Sequence, residues 1–104
     1  MVIYSKEYLD EWREKVVEPH VIEAQKTGLD ALKADNMTNF VTAISRITRD
    51  TENHVSLNCI YAESLELGVK CTKDAKKLRI DALNKLTEAL VEKCGGKMNY
   101  IIMD

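Results

Sequence analysis

The sequence predicts an all-α domain: an antiparallel helical hairpin or bundle, entered by an amino-terminal helix that Pro19 kinks. Three observations carry this expectation. The 104 residues include one Pro and four Gly, too few turn formers for the many corners of a sandwich or barrel. No Pro or Gly occurs between Met37 and Leu67. Within that run apolar residues recur every three or four positions, the period of a helix face, and do not alternate as in a strand.

Each element follows in order. Ser5 is placed to cap a first helix carrying Leu9, Trp12 and Val16 on one face. Pro19 lacks an N–H and clashes with the carbonyl four residues back, so the helix kinks or restarts there. Gly28 supplies a stop, and Leu29 to Ala34 form a short turn. Asp35 or Asn36 caps the run from Met37 to Leu67, about 31 residues and about 46 Å of helix. Gly68 ends it, Thr72 caps the last helix, and Gly95-Gly96 closes it near residue 94. The tail KMNYIIMD is expected to pack on the rest of the chain. Length points to one domain over residues 1–104.

Charge and composition narrow the function classes. A net charge of −2 opposes a general nucleic-acid binder, which carries a strongly basic face. No window approaches the roughly 18 consecutive apolar residues of a membrane span. The start MVIYSKEYLDEW has neither the basic region nor the apolar run of a leader. Cys59, Cys71 and Cys94, at spacings of 12 and 23, fit neither a disulfide framework nor a paired metal motif. They read as reduced buried thiols, and the protein as cytoplasmic, with neither membrane nor nucleic acid as partner.

The central helix raises the functional question. Its seam runs through Phe40, Ile44 and Ile47 to Thr51, His54, Asn58 and Tyr61, so a polar layer interrupts an apolar stripe. A polar group there costs stability unless it is hydrogen-bonded, and it can fix register. Asp50, one turn before His54, and Asn58, one turn after, are the side chains placed to orient the imidazole. Leu57, Ile60 and Leu67 lie on nearly the opposite side, and Ile80 and Val91 widen the apolar arc of the last helix. This surplus marks Leu57, Ile60, Leu67, Ile80 and Val91 as a candidate interface between copies.

The run KCTKDAKKLR sets Lys70, Lys73, Lys76, Lys77 and Arg79 around an expected helix start at Thr72, a candidate anion site. Residues 1–30 hold seven acids against four bases, so the first helix and the basic run could meet. No Walker loop, dinucleotide fingerprint or zinc signature occurs. Neither His20 nor His54 follows a Glu by three positions, as a di-iron bundle site requires. Glu11 and Glu14, with Glu63 and Glu66, resemble half of the Glu-x-x-Glu and Glu-x-x-Asp magnesium pattern of small all-α nucleotide pyrophosphohydrolases. Their separation in sequence exceeds that pattern, and no Glu-x-x-Asp follows Glu63.

The sequence therefore leads to an expectation of a small non-enzymatic binding protein without metal or cofactor. It self-associates and regulates or inhibits a macromolecular partner, a reading motivated by the surplus apolar face and the absence of a catalytic set. The alternative is an oligomeric sensor or sequestering protein for a phosphorylated or nucleotide ligand.

Overall fold

The computed structural model describes residues 2–95 and is all-α, its long helices packed side by side. Helix α1, Lys6–Trp12, begins at Ser5, whose Oγ accepts from the Tyr8 N–H at 3.2 Å. A π turn, Arg13–Val17, then leads into α2, Glu18–Lys33. Because Pro19 has no N–H, Lys15 O loses its partner four residues on. The ladder widens there, with Glu18 N–H reaching the carbonyl of Arg13, five residues back.

Gly28 does not stop the helix, and Leu29 to Ala34 form no separate turn. Gly28 is buried inside α2, where a Cβ would lie 2.9 Å from Leu86 Cδ2 and 3.2 Å from Ala43 Cβ. The missing side chain lets two other helices approach α2 closely. The helix ends instead at Asp35, in the left-handed region with φ 55°. Asn36 N–H bonds Ala31 O at 2.8 Å and Asp35 N–H bonds Leu32 O at 3.2 Å, the Schellman arrangement. Asn36 Oδ1 then caps α3, Met37–Leu57, by accepting from Asn39 N–H at 3.0 Å.

Helix α3 ends at Leu57, ten residues earlier than expected. The chain leaves it at Asn58, makes a 3₁₀ turn over Cys59–Tyr61, extends at Ala62 and starts α4, Leu65–Lys93, at Ser64. Ser64 Oγ accepts from Leu67 N–H at 3.1 Å, a regular N-cap. Gly68 and Thr72 are therefore neither stop nor cap but early residues of α4, and Thr72 Oγ1 donates back to Gly68 O at 2.9 Å. Gly68 serves a close approach, since a Cβ there would sit 3.1 Å from the Cys59 carbonyl oxygen. Helix α4 ends at Gly95, φ 68°, and Lys93 Nζ bonds Asp35 Oδ1 at 2.6 Å. The tail KMNYIIMD and Gly96 lie outside the described residues.

Two clusters fill the interior. The larger joins α2, α3 and α4 through Val21, Ala24, Phe40, Ile47, Leu83 and Leu86 among others. The smaller gathers Leu9, Cys59 and Cys71, with Tyr4, Val55, Ala62 and Leu67 against them. The segment before α1 is tied to this end by Tyr4 N–H to Tyr61 O at 2.8 Å and Glu63 N–H to Tyr4 O at 2.9 Å. Among the described residues no helix is long and apolar enough to cross a membrane.

Candidate functional site

The break between α3 and α4 brings together side chains that a continuous helix would hold apart. Cys59 and Cys71 are joined in a disulfide, Cα atoms 5.5 Å apart, and Cys94 is a free, exposed thiol. The expectation of three reduced buried thiols is thus overturned. With it goes the ground for a cytoplasmic location. The pairing was not legible from spacing because it depends on the 3₁₀ turn, which swings Cys59 off the axis of α3 toward the first turns of α4.

His54 and Asn58, both buried, lie against this disulfide. The Asn58 carboxamide oxygen is 3.1 Å from Trp12 Nε1 and 3.1 Å from His54 Nδ1, while its nitrogen donates to Leu57 O at 3.0 Å. An indole N–H can only donate, so the carboxamide must turn its oxygen toward Trp12. The same oxygen faces Nδ1, which must therefore carry the imidazole proton. Nε2 is left with its lone pair, and it lies 3.5 Å from Cys71 Sγ. Burial lowers the His54 pKa below the ordinary 6.5, and the nearby Arg13 guanidinium adds to the effect. Arg13 is itself held between Asp10 and Asp74, each at 3.2 Å.

The predicted polar layer divides. Thr51, like His54 and Asn58, is buried, and its Oγ1 donates to Ile47 O at 2.9 Å. Tyr61 is exposed on the 3₁₀ turn, its ring edge-on to Tyr4 with centroids 6.4 Å apart. Asn58 orients the imidazole, and Asp50 instead faces Arg49 at 3.7 Å. Trp12, expected only on the apolar face of the first helix, is also part of this site. It closes a row in which Tyr4 and Tyr8 stack at 4.4 Å and Tyr8 and Trp12 at 6.1 Å. Their spacing of four residues is the signal that could have shown it.

The basic run lies inside α4, not at a helix start. Lys70, Thr72, Lys73, Lys76, Lys77 and Arg79 fall six to fifteen residues into the helix, where backbone N–H groups are already bonded. Lys70 pairs with Asp74 at 2.8 Å, Lys77 with Asp81 at 3.4 Å and Arg79 with Glu52 at 3.8 Å. The anion site loses its geometric basis. The contact found near this run is the reverse of the expected one: a base at the start of the π turn, Arg13, pairs with the acid Asp74. Glu11 faces Lys15 at 2.8 Å and Glu14 faces Arg13 at 3.6 Å. Among the described residues the carboxylates form no metal-ligating group, and one such cluster exists, of His54, Cys59 and Cys71.

The five residues of the candidate interface differ in exposure. Leu57 and Ile60 are exposed, whereas Leu67, Ile80 and Val91 are half-buried against the helices. Leu65 and Val69 are also exposed. With Ile60 and Ala62 they line a groove of about 800 Å³ over Cys59 and Gly68, with Glu63 and Lys73 also on its walls. Comparison with protein families, curated proteins and solved structures finds no match to this chain.

Proposed function

We propose that the protein is a non-enzymatic helical binding module that pairs with a second copy of itself across this groove. The supporting observation is Leu65, 86% exposed on the lip of an apolar hollow large enough to receive an aliphatic side chain. A twofold interface needs one patch that is its own complement. Here a projecting leucine adjoins a cavity, and an acid, Glu63, shares the wall with a base, Lys73. Related by a twofold axis, Leu65 of each copy enters the other's groove and Lys73 of each faces the other's Glu63. Ile60, exposed on the groove wall, adds apolar area to the contact.

Light scattering and native mass spectrometry of the full chain test this directly. The expected result is a dimer that Leu65→Asp converts to a folded monomer. Lys73→Glu and Glu63→Lys should each weaken pairing by placing like charges together, and an equimolar mixture of the two should restore it as a mixed dimer. A wild-type monomer at high micromolar concentration, or a dimer indifferent to Leu65→Asp, removes the reading.

A further inference from the structure

The disulfide end holds a ligand set of which only Cys59 borders the pairing groove. His54 is 2% exposed and Cys59 1%, and the ligating atoms of His54, Cys59 and Cys71 all lie within 4.8 Å of one another. The imidazole is presented in the form that metals take: Nδ1 is protonated and hydrogen-bonded, and the Nε2 lone pair points at sulfur. In a tetrahedral zinc site, bonds of about 2.3 Å to sulfur and about 2.0–2.1 Å to nitrogen set N and S about 3.5–3.6 Å apart and two sulfurs about 3.8 Å apart. The separation of His54 Nε2 from Cys71 Sγ is already 3.5 Å.

We propose that, once the disulfide is reduced, His54 Nε2 and the thiolates of Cys59 and Cys71 form a three-ligand site for a divalent cation of zinc type. The bond between the sulfurs must break first. A dithiol delivers two electrons and two protons to it and leaves as its own disulfide, giving two thiols in the protein. Binding of the cation then displaces one proton from each thiol, and none from His54, whose proton stays on Nδ1. Rotation about the Cα–Cβ bonds separates the sulfurs while the helices stay in place. Three protein ligands leave one position of a tetrahedral site for water or another external donor, the pattern of an open three-ligand site. In the reverse direction a small-molecule disulfide accepts two electrons from the two thiolates and two protons from solvent, and leaves as a dithiol. The cation is released as the sulfur–sulfur bond re-forms, so the disulfide and the metal are alternative states of one site. The proposal is independent of whether the chain pairs.

The test uses the full chain carrying Cys94→Ser, which removes the exposed third thiol. The protein is reduced with a dithiol, freed of it without air, and titrated with Co²⁺ and then Zn²⁺. One Co²⁺ per chain is expected, with thiolate-to-cobalt charge-transfer absorption, tetrahedral ligand-field bands, release of two protons, and loss of colour as Zn²⁺ displaces it. The oxidised protein should show none of this. His54→Gln should weaken Co²⁺ binding by more than about 100-fold, and Asn58→Leu, which keeps all three ligands but frees Nδ1, by about 10–100-fold. Circular dichroism runs alongside, and a reduced chain that loses helix must regain it on adding Co²⁺. Absence of thiolate absorption in the reduced chain, folded or not, overturns the proposal, as does unchanged affinity in His54→Gln.

Discussion

Two regions of the α3–α4 hairpin bury side chains by different physical means. Where Gly28 of α2 meets Ala43 and Leu86, the interior is aliphatic around Phe40, Ile47 and Leu86, all fully buried. That region is held by apolar area and close fit, which no single polar contact controls. Four and seven residues beyond Ile47 along α3, Thr51 and His54 replace the aliphatics, and the disulfide, the Asn58 carboxamide and the Trp12 indole take over. There the structure depends on a few directional contacts and one covalent bond. The first region makes the bundle stable, and the second places chemistry within it.

The largest effect expected is in the aliphatic region. Phe40→Ala should cost about 3–5 kcal/mol, through lost transfer free energy and the cavity left behind. This is a large share of the roughly 5–15 kcal/mol available to a domain. Chemical denaturation should show a lower midpoint at unchanged slope, and a loss under about 1 kcal/mol would mean this region is not the principal core. Reducing the disulfide should cost somewhat less. Closing a loop at a separation of 12 residues restrains the unfolded chain by about 3 kcal/mol. Hydrogen exchange separates the two regions: reduction should expose amides of residues 58–71 while those around Phe40 and Leu86 keep most of their protection. Uniform loss of protection would show that the two regions are one cooperative unit.

The aliphatic region was readable in sequence because periodicity reports burial directly. Phe40, Ile47, Leu83 and Leu86 lie where three-and-four spacing puts them, and Ser5 and Asn36 cap the helices they were placed to cap. The polar end was only half legible. Thr51, His54 and Asn58 could be seen to interrupt a seam, but helix formers on both sides hid the break at Asn58. The clue was Ser64 followed by Glu66, a cap and a first-turn acid, and its weight was masked by Gly68, which looked like a terminator. Once the break is misplaced, Cys59 points away from Cys71 and the lysines seem to crowd a helix start. Gly28 misled similarly, since a glycine required by a neighbouring helix is indistinguishable in sequence from one required by a turn.

The smallest effect expected belongs to His54 and concerns pH. Its folded pKa lies below the ordinary 6.5 because burial disfavours the imidazolium, with Arg13 adding repulsion. As pH falls through 6.5 the unfolded chain takes up this proton first, while the folded chain stays neutral at His54. The unfolded state then binds more protons, so stability declines with falling pH over that window and levels off below the folded pKa. A proton arriving at Nε2 would also point at a disulfide sulfur, a weak acceptor, so no new hydrogen bond offsets the charge. Other groups titrate as well, and His54→Gln provides the subtraction: it lacks the imidazole and keeps the rest. Between pH values above 6.5 and about 5, wild type should lose more stability than His54→Gln, each measured by denaturant unfolding in its oxidised form. Parallel curves would mean that His54 is as readily protonated in the folded chain as in the unfolded one. The neutral imidazole with its lone pair on sulfur would then no longer describe the resting site.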